Sequence, residues 1–251
     1  ESFLGEISSE LVNLPLESID EAIESSMKSL VEYFDADRCH LGQFTADQSK
    51  ISVSYFYTRP GFNIPQIDNV SAQFLSFVYE SIKQDKLIAF SKSSDLPSHA
   101  SQDRAVIDKM GIKSLLVLPI KIADVVQFGF SLSTVTKHIT WDKKAINRIR
   151  ITANILAHVI QRKITLKQMM EEKEWAEAVI EGMPQVAYVF DLQGSLKRWN
   201  KNLEVLYGYA EEELKDKYIG DFLHEEDRKK VMEEVPKVGT EGKERSVEYD
   251  I

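Results

Sequence analysis

The sequence predicts an α+β protein of two domains, each built on a central antiparallel sheet with flanking helices, and joined by one long helix. Three observations support this prediction. Short strands separated by hairpin turns occur in both halves of the 251 residues, with helices at the ends and in the crossovers. Residues 142–180 contain no Pro or Gly, and a helical pattern much longer than roughly 8–20 residues is typical of a coiled coil. Met183-Pro184 should then end the helix before the second set of strands.

Composition and charge restrict the class of protein. Residues 1–163 hold 18 Lys and Arg against 19 Asp and Glu, whereas residues 164–251 hold 13 against 21. The acidic second half argues against nucleic acid or an anionic membrane as a partner. No apolar run approaches about 18 residues, so we expect no membrane span in this segment. The single cysteine, Cys39, excludes an internal disulfide and a multi-cysteine metal site, and it fits a reducing, cytoplasmic location.

The first half predicts helices and strands from its hydrophobic periodicity. Helices are expected at 17–34, 72–84 and 102–110, and strands at 38–44, 51–58, 87–91, 114–122 and 125–133. Within the second predicted strand, Ile51, Val53, Tyr55 and Tyr57 alternate onto one face. In the last strand, Val126, Phe128, Phe130 and Leu132 do the same, and Gly129 with three polar residues occupies the opposite face.

The second half predicts a smaller sheet. Strands are expected at 187–191 and 196–199 around a hairpin turn with Gly194, two or three short helices between 202 and 235, and a further strand at 245–251.

Motifs of the first half resemble those of a GAF domain, over about residues 5–163. The resemblance is carried by Ala36-Asp37-Arg38-Cys39, by Gly111-Ile112-Lys113-Ser114 running into the apolar residues 115–120, and by Trp141 before the last helix. Leu96-Pro97 and Asp103-Arg104 make it similar in particular to GAF domains upstream of bacterial sensor histidine kinases.

The second half resembles a PAS domain from about Val179. Five separated elements occur in the family's order and spacing, namely Asp191 with Gly194, Trp199-Asn200, Leu206-Tyr207-Gly208-Tyr209, Glu212-Glu213-Leu214 and His224-Glu225-Glu226-Asp227-Arg228. The sheet is then two strands short, so we expect a PAS domain truncated at its carboxyl end.

These resemblances imply cytoplasmic sensory modules: a GAF domain at 1–160, a coiled-coil linker at 161–178 and a PAS domain at 179–251. They imply the sensory and dimerisation region of a bacterial signal-transduction protein, foremost a sensor histidine kinase, with no catalytic site in this segment. The alternatives are the sensory region of a diguanylate cyclase, a cyclic-dinucleotide phosphodiesterase or a transcription activator, and a scaffold that makes only protein contacts.

The family patterns disfavour bilin, haem and photoactive flavin as cofactors. The Cys-His pair of bilin-binding GAF domains precedes the helix that leads to Met110-Gly111, and Gln102 and Asp103 stand at that place. The PAS half has no cysteine for flavin photochemistry, and no histidine follows Asp227-Arg228 at the position of a haem ligand. We therefore expect no cofactor and no metal site.

A small-molecule ligand remains an expectation for either domain. The candidate GAF pocket residues are Tyr55, Tyr57, Phe74, His99, Arg104 and Ser114. Arg104 beside His99 would bind an anion; in the alternative, the aromatics fill the core and Arg104 pairs with Asp103 or Asp108. The candidate PAS pocket residues, which could equally form a filled core, are Phe190, Trp199, Leu203, Tyr209 and Phe222.

The long helix carries two apolar stripes, which predict two packing partners. The first stripe, expected to pack in the GAF domain, is Ile149, Ala153, Leu156 and Ile160. The second, interrupted by Arg162 and Lys173 and expected to pair with another copy in a parallel homodimer, is Ile155, Val159, Leu166, Met169, Ala176 and Ile180.

Overall fold

The structure is a computed structural model that describes residue 11 and residues 14–62, 68–191, 193–215, 217–222 and 229. The chain divides into two compact units, Glu1–Leu166 and Lys167–Ile251. The predicted strand at 245–251 and the motif at 224–228 lie outside the described residues. Among the described helices, none combines the length and apolar character needed to cross a bilayer.

The first unit contains six strands and the helices that cover them. The strands are β1 (Arg38–Phe44), β2 (Lys50–Thr58), β3 (Asn69–Ser71), β4 (Ile88–Phe90), β5 (Ser114–Ile122) and β6 (Val125–Thr134). The helices are α1 (Ile19–Tyr33), α2 (Ser76–Lys83), α3 (Ser101–Lys109) and α4 (Lys143–Gly182), of which α4 continues past Leu166 into the second unit. There are 3₁₀ turns at Leu16–Ser18, Ser93–Asp95 and Ser98–Ala100.

The six strands form one antiparallel sheet in the order β3-β2-β1-β6-β5-β4. One face packs against α1 and the first part of α4, and the other packs against α2 and α3. The nearly continuous apolar run of β5 follows from this arrangement, because Leu116 and Leu118 are buried on the first face and Leu115 and Val117 on the second. The mixed architecture agrees with the predicted α+β class.

Two bulges change the faces expected for β2 and β6. Opposite β1, the register moves from Leu41↔Tyr55 to Gly42↔Val53, so the extra residue on β2 turns the strand over. Ile51 therefore packs on the α2/α3 face, whereas Tyr55 and Tyr57 pack on the α1/α4 face.

The second bulge lies between β5 and β6, where Ile120 pairs with Phe128 and Lys121 with Val126. Val126 consequently packs on the α2/α3 face, away from Phe128. The single faces predicted for these two strands were wrong, because one inserted residue inverts the alternation of side chains.

Helix α4 belongs to the first core along its first half. All four residues of the first predicted stripe are buried, together with Thr152, Ala157 and Val159. Ile155 also packs partly against this core. Two polar contacts also join α4 to α1: Arg148 donates to the Tyr33 hydroxyl at 2.7 Å, and Lys163 binds Asp20 at 2.6 Å.

Two members of the predicted dimer stripe therefore have a partner inside the first unit. Val159 is buried in that core and Ile155 is partly covered by it, so neither forms a free seam. From residue 165 to residue 175 every side chain of α4 is exposed, Leu166 and Met169 included. Ala176 and Ile180 are partly buried.

The second unit is a short hairpin with helices. It contains β7 (Tyr188–Phe190), β8 (Leu196–Trp199), α5 (Lys201–Tyr207), α6 (Glu211–Leu214) and a 3₁₀ turn at Ile219–Phe222. The fully buried Asn200 organises its start, since its side chain accepts from Ala187 N and donates to Gln185 O at 2.7 Å.

Candidate ligand site

A cavity of about 70 Å³ lies between the sheet and helices α2 and α3 of the first unit. Its sheet side is formed by β1 and β6 at the centre, with β2 and β5 beside them. Its helix side is apolar and includes Val78, Ile82 and Ile107. The cavity therefore has an apolar wall formed by the helices and a second wall formed by the sheet.

The central strands line the cavity with small and polar residues. Three cross-strand pairs, Arg38↔Ser133, His40↔Ser131 and Gly42↔Gly129, all contribute to it. They alternate with the core residues Cys39 and Leu41, whose side chains lie on the opposite face of the sheet. We call Arg38, His40, Ser131 and Ser133 the polar wall.

The pair of Gly42 and Gly129 leaves room for the side chain of Ile51 on the cavity face of the sheet. A Cβ on Gly42 would meet Ile51 Cγ2 at 2.7 Å and Ser52 O at 2.8 Å. A Cβ on Gly129 would meet Ile51 Cδ1 at 3.3 Å. Because both positions lack a side chain, Ile51 fills this end of the sheet.

Arg38 is the cation of the polar wall and is only 1% exposed. Its Nε donates to Ser133 Oγ at 3.2 Å, whereas its buried Nη1 has no hydrogen-bond partner in the part of the chain that the structure describes. Burial lowers the pKa of Arg38 to about 10, and the charge of Asp37 opposes this shift. The guanidinium therefore stays cationic at neutral pH.

His40 is the other titratable group of the polar wall. Desolvation, followed by the charge of Arg38, lowers the pKa of His40 to about 3. The ring is consequently neutral at pH 7, and its Nδ1 lies 3.4 Å from Ser131 Oγ. The cavity thus carries a single positive charge and a neutral imidazole.

None of the six residues predicted for the GAF pocket lines this cavity. Tyr55 and Tyr57 lie on the opposite face of the sheet because of the β2 bulge, and they border an open groove with Asp20 and Lys163. Phe74 is exposed in the turn before α2.

The other three predicted residues have contacts of their own. His99 packs edge-on against Phe77 at 5.3 Å between ring centroids. Arg104 Nη2 donates to Leu96 O at 2.7 Å, rather than pairing with Asp103 or Asp108. Ser114 Oγ donates to Ser91 O and accepts from Ile139 N, which ties β5 to two loops.

Four of the five predicted PAS residues come together in one apolar cluster. Leu203 is buried there, and Trp199, Tyr209 and Phe222 pack against it. Phe190 lies beside Tyr188 at 6.2 Å between ring centroids. The cluster contains the aromatic packing expected of a filled core, with Tyr209 edge-on to Phe222.

The sequence did contain a signal for the polar wall. Arg38, His40 and Gly42 recur at every second position of a predicted strand, and polar residues with Gly129 occupy the predicted polar face of β6. A polar face on a central strand of a covered sheet indicates a cavity, since such a face otherwise meets apolar side chains. The alternation in the sequence gives this polar face, but no cavity is predicted from it.

Comparison with known proteins gives one family match and several similar structures. Residues 196–251 match the family model of the PAS fold. Among curated protein sequences there is no match to this chain. Solved structures similar to it include the phycoerythrobilin-bound GAF domain from a cyanobacterial phytochrome, which is 16% identical with a TM-score of 0.54, over 66% of this chain and 96% of that one.

Two further structures give the same result. The far-red absorbing dark state of JSC1_58120g3 with bound biliverdin is 13% identical, with a TM-score of 0.53 over 64% of this chain and 98% of that one. Residues 122 to 287 of a methyl-accepting chemotaxis protein are 15% identical, with a TM-score of 0.50 over 64% and 98%. At such identities the likeness is one of fold, and the first unit has a GAF-type fold.

The bilin named in two of those structures can be tested against the residues present here. The cysteine of this chain, Cys39, is wholly buried on the α1/α4 face, on the other side of the sheet from the cavity. Burial also raises its pKa, which suppresses the reactive thiolate. A cavity of about 70 Å³ is far smaller than the roughly 300–1,000 Å³ of pockets for drug-sized ligands. These features do not fit a covalently attached tetrapyrrole.

A metal ion finds no ready ligand set either. Nowhere in the described ranges do three His, Cys, Asp or Glu side chains cluster as they would around a metal ion. The chemistry that the polar wall offers is hydrogen bonding and one fixed positive charge.

Proposed function

We propose that this chain is the cytoplasmic sensory and dimerisation region of a bacterial signal-transduction protein, a sensor histidine kinase. A GAF domain at 1–160 senses, residues 161–178 form a coiled-coil linker, and a PAS domain occupies 179–251. The observation that carries this proposal is helix α4, which is part of the first core at Leu156 and Ile160 and continues unbroken to Gly182.

The contacts of α4 supply a route from the cavity to the linker. Strand β2 lines the cavity with Ile51 and Val53, and the same strand carries Tyr55, whose hydroxyl binds Asp20. Asp20 also binds Lys163 on α4. A change in the position of β2 on ligand binding would thus reach the helix through one carboxylate.

The exposed part of α4 supplies the dimer contact. Leu166 is 36% and Met169 60% exposed, and they lie three residues apart on one helical stripe that Ala176 and Ile180 continue. Helices of two copies would bury this stripe in a parallel coiled coil, which transmits the sensory state to a kinase output domain elsewhere in the full-length protein. The exposed ion pair between Lys167 and Glu171 lies on the opposite side of the helix and keeps that side polar.

The test is the oligomeric state of a variant carrying Leu166→Glu and Met169→Glu. Two carboxylates in the seam repel each other, so we expect a monomer at micromolar concentration by light scattering, where the wild type is a dimer. Gln168→Glu with Trp175→Glu is the matched control, because both positions are exposed and lie on the side of the helix away from the stripe. A wild-type monomer, or a dimer that survives both seam substitutions, would refute this interface.

A further inference from the structure

The polar wall of the cavity holds a buried cation whose hydrogen bonding is incomplete. Arg38 is tied to Ser133 through Nε alone, and Nη1 is buried without a partner within the described part of the chain. A buried donor without an acceptor costs stability, and a guanidinium binds carboxylates through just such planar N–H groups.

We propose that this cavity binds a short-chain monocarboxylate. Its carboxylate accepts from the guanidinium of Arg38, and its alkyl chain packs on the apolar wall formed by Val78, Ile82 and Ile107. The proposal rests on the proposed function, since it names the ligand class that the GAF domain senses.

The charge of the site selects a single negative charge. Arg38 is the only cationic side chain that lines the described cavity, and no carboxylate lines it. His40 remains neutral at pH 7 because its pKa is about 3. A dianion such as phosphate would bring a second charge into an apolar space with no partner for it.

The size of the site selects a short chain. One water molecule needs roughly 10–15 Å³ of cavity volume. A cavity of about 70 Å³ therefore holds about five groups of that size. Propionate, with five non-hydrogen atoms, fits this number, and its ethyl group matches the apolar wall. The neutral isostere propionamide has the same shape without the charge.

The experiment is calorimetric titration of the full chain with sodium propionate and with propionamide. We expect propionate to bind the wild type, and propionamide to bind at least about tenfold more weakly because the charge-assisted hydrogen bond is lost. Arg38→Met should raise the Kd for propionate by a similar factor. Arg104→Met is the matched control, since Arg104 lies outside the cavity, and its Kd should equal that of the wild type.

A second variant covers the event that Arg38→Met does not fold. Val117→Phe keeps the guanidinium but fills the cavity that Val117 lines, and it should abolish propionate binding. Equal affinity for propionate and propionamide, retained binding in Val117→Phe, or loss of binding in Arg104→Met instead would each overturn the proposal.

The outcome can be separated from that of the proposed function. If the folded wild type binds no propionate while Leu166→Glu with Met169→Glu still converts dimer to monomer, the ligand class is overturned and the relay proposal stands. If propionate binds but the wild type is monomeric, the ligand class stands and the proposed dimer interface is overturned.

Discussion

The hydroxyl of Tyr55 donates a 2.5 Å hydrogen bond to Oδ1 of Asp20, and Lys163 Nζ lies 2.6 Å from both oxygens of the same carboxylate. Strand β2, helix α1 and helix α4 therefore meet at one side chain. The sequence predicts a ligand pocket around Tyr55; the place of Tyr55 in this three-way contact depends instead on the β2 bulge, which turns its side chain to the α1/α4 face.

The carboxylate of Asp20 should make stability depend on pH. Hydrogen bonds from Lys163 and then from Tyr55 hold the pKa of Asp20 below its ordinary value. The group therefore stabilises the fold above its unfolded pKa of about 3.9, and this stabilisation is lost as the pH falls through the lower folded pKa. Asp20→Asn should lower Tm at pH 7, and the difference from the wild type should shrink below about pH 3.

The size of that effect is small, because the Asp20 side chain is half exposed and exposed ion pairs contribute about 1 kcal/mol or less. Asp68→Asn is the control, as Asp68 is exposed, and its Tm should follow the wild type at every pH. A Tm difference for Asp20→Asn that is equally large at pH 3 and pH 7 would rule out the ionised carboxylate as its cause.

A second carboxylate has a structural role that the sequence did not reveal. Asp103 is 1% exposed, and its Oδ2 accepts from Val78 N in the first turn of α2 at 2.9 Å. Asp103→Ala should lower the free energy of unfolding by about 1–2 kcal/mol, as loss of a helix cap does, measured by urea denaturation.

Two comparisons define this prediction. Asp103→Asn keeps a carbonyl acceptor and should lower the free energy of unfolding by less than Asp103→Ala does. Asp108→Ala, on the exposed side of the same helix α3, should change the free energy of unfolding little. If Asp103→Ala and Asp108→Ala have equal effects, the hydrogen bond to Val78 contributes nothing measurable.

Much of the fold follows from local sequence pattern. The hairpin of β5 and β6, the helix α4 and the left-handed Gly111 that ends α3 all lie where periodicity and turn chemistry place them. The bulges do not follow, because a single inserted residue leaves the alternating pattern of β2 intact as written and changes only which neighbour each residue faces. That is why Tyr55 and Tyr57 seemed to share a face with Ile51.

The candidate site was only partly visible for the same reason. Arg38 belongs to a motif of the GAF resemblance, and the alternation of β6 gives its polar face, but nothing local pairs residue 38 with residue 133. Cross-strand register over 95 residues depends on the whole sheet. The contacts of Asp103 and Arg104 with distant backbone atoms were likewise beyond local pattern.

The glycine pair offers a test of the cavity-side packing. Gly42→Ala places its Cβ 2.8 Å from Ser52 O, a backbone atom that cannot move aside easily. We expect a loss of about 1–3 kcal/mol in the free energy of unfolding, the usual effect of overpacking. Gly129→Ala should cost less, since its closest contact is the flexible end of Ile51 at 3.3 Å. Equal losses of stability in Gly42→Ala and Gly129→Ala would show that the contact with Ser52 O does not determine the effect of the added methyl group.

The absence of a bilin remains a prediction that absorption spectroscopy can check. Because Cys39 is buried away from the cavity and its pKa is raised, protein incubated with biliverdin should show no visible band after gel filtration. In the same sample a thiol reagent should modify Cys39 only after unfolding. Ala105→Cys, at an exposed position on α3, should add one thiol that reacts in the native state and so proves the reagent active. The burial of Cys39 excludes a thioether bond between this cysteine and a bilin. A visible band that survives gel filtration, or rapid modification of Cys39 in the native state, would contradict it.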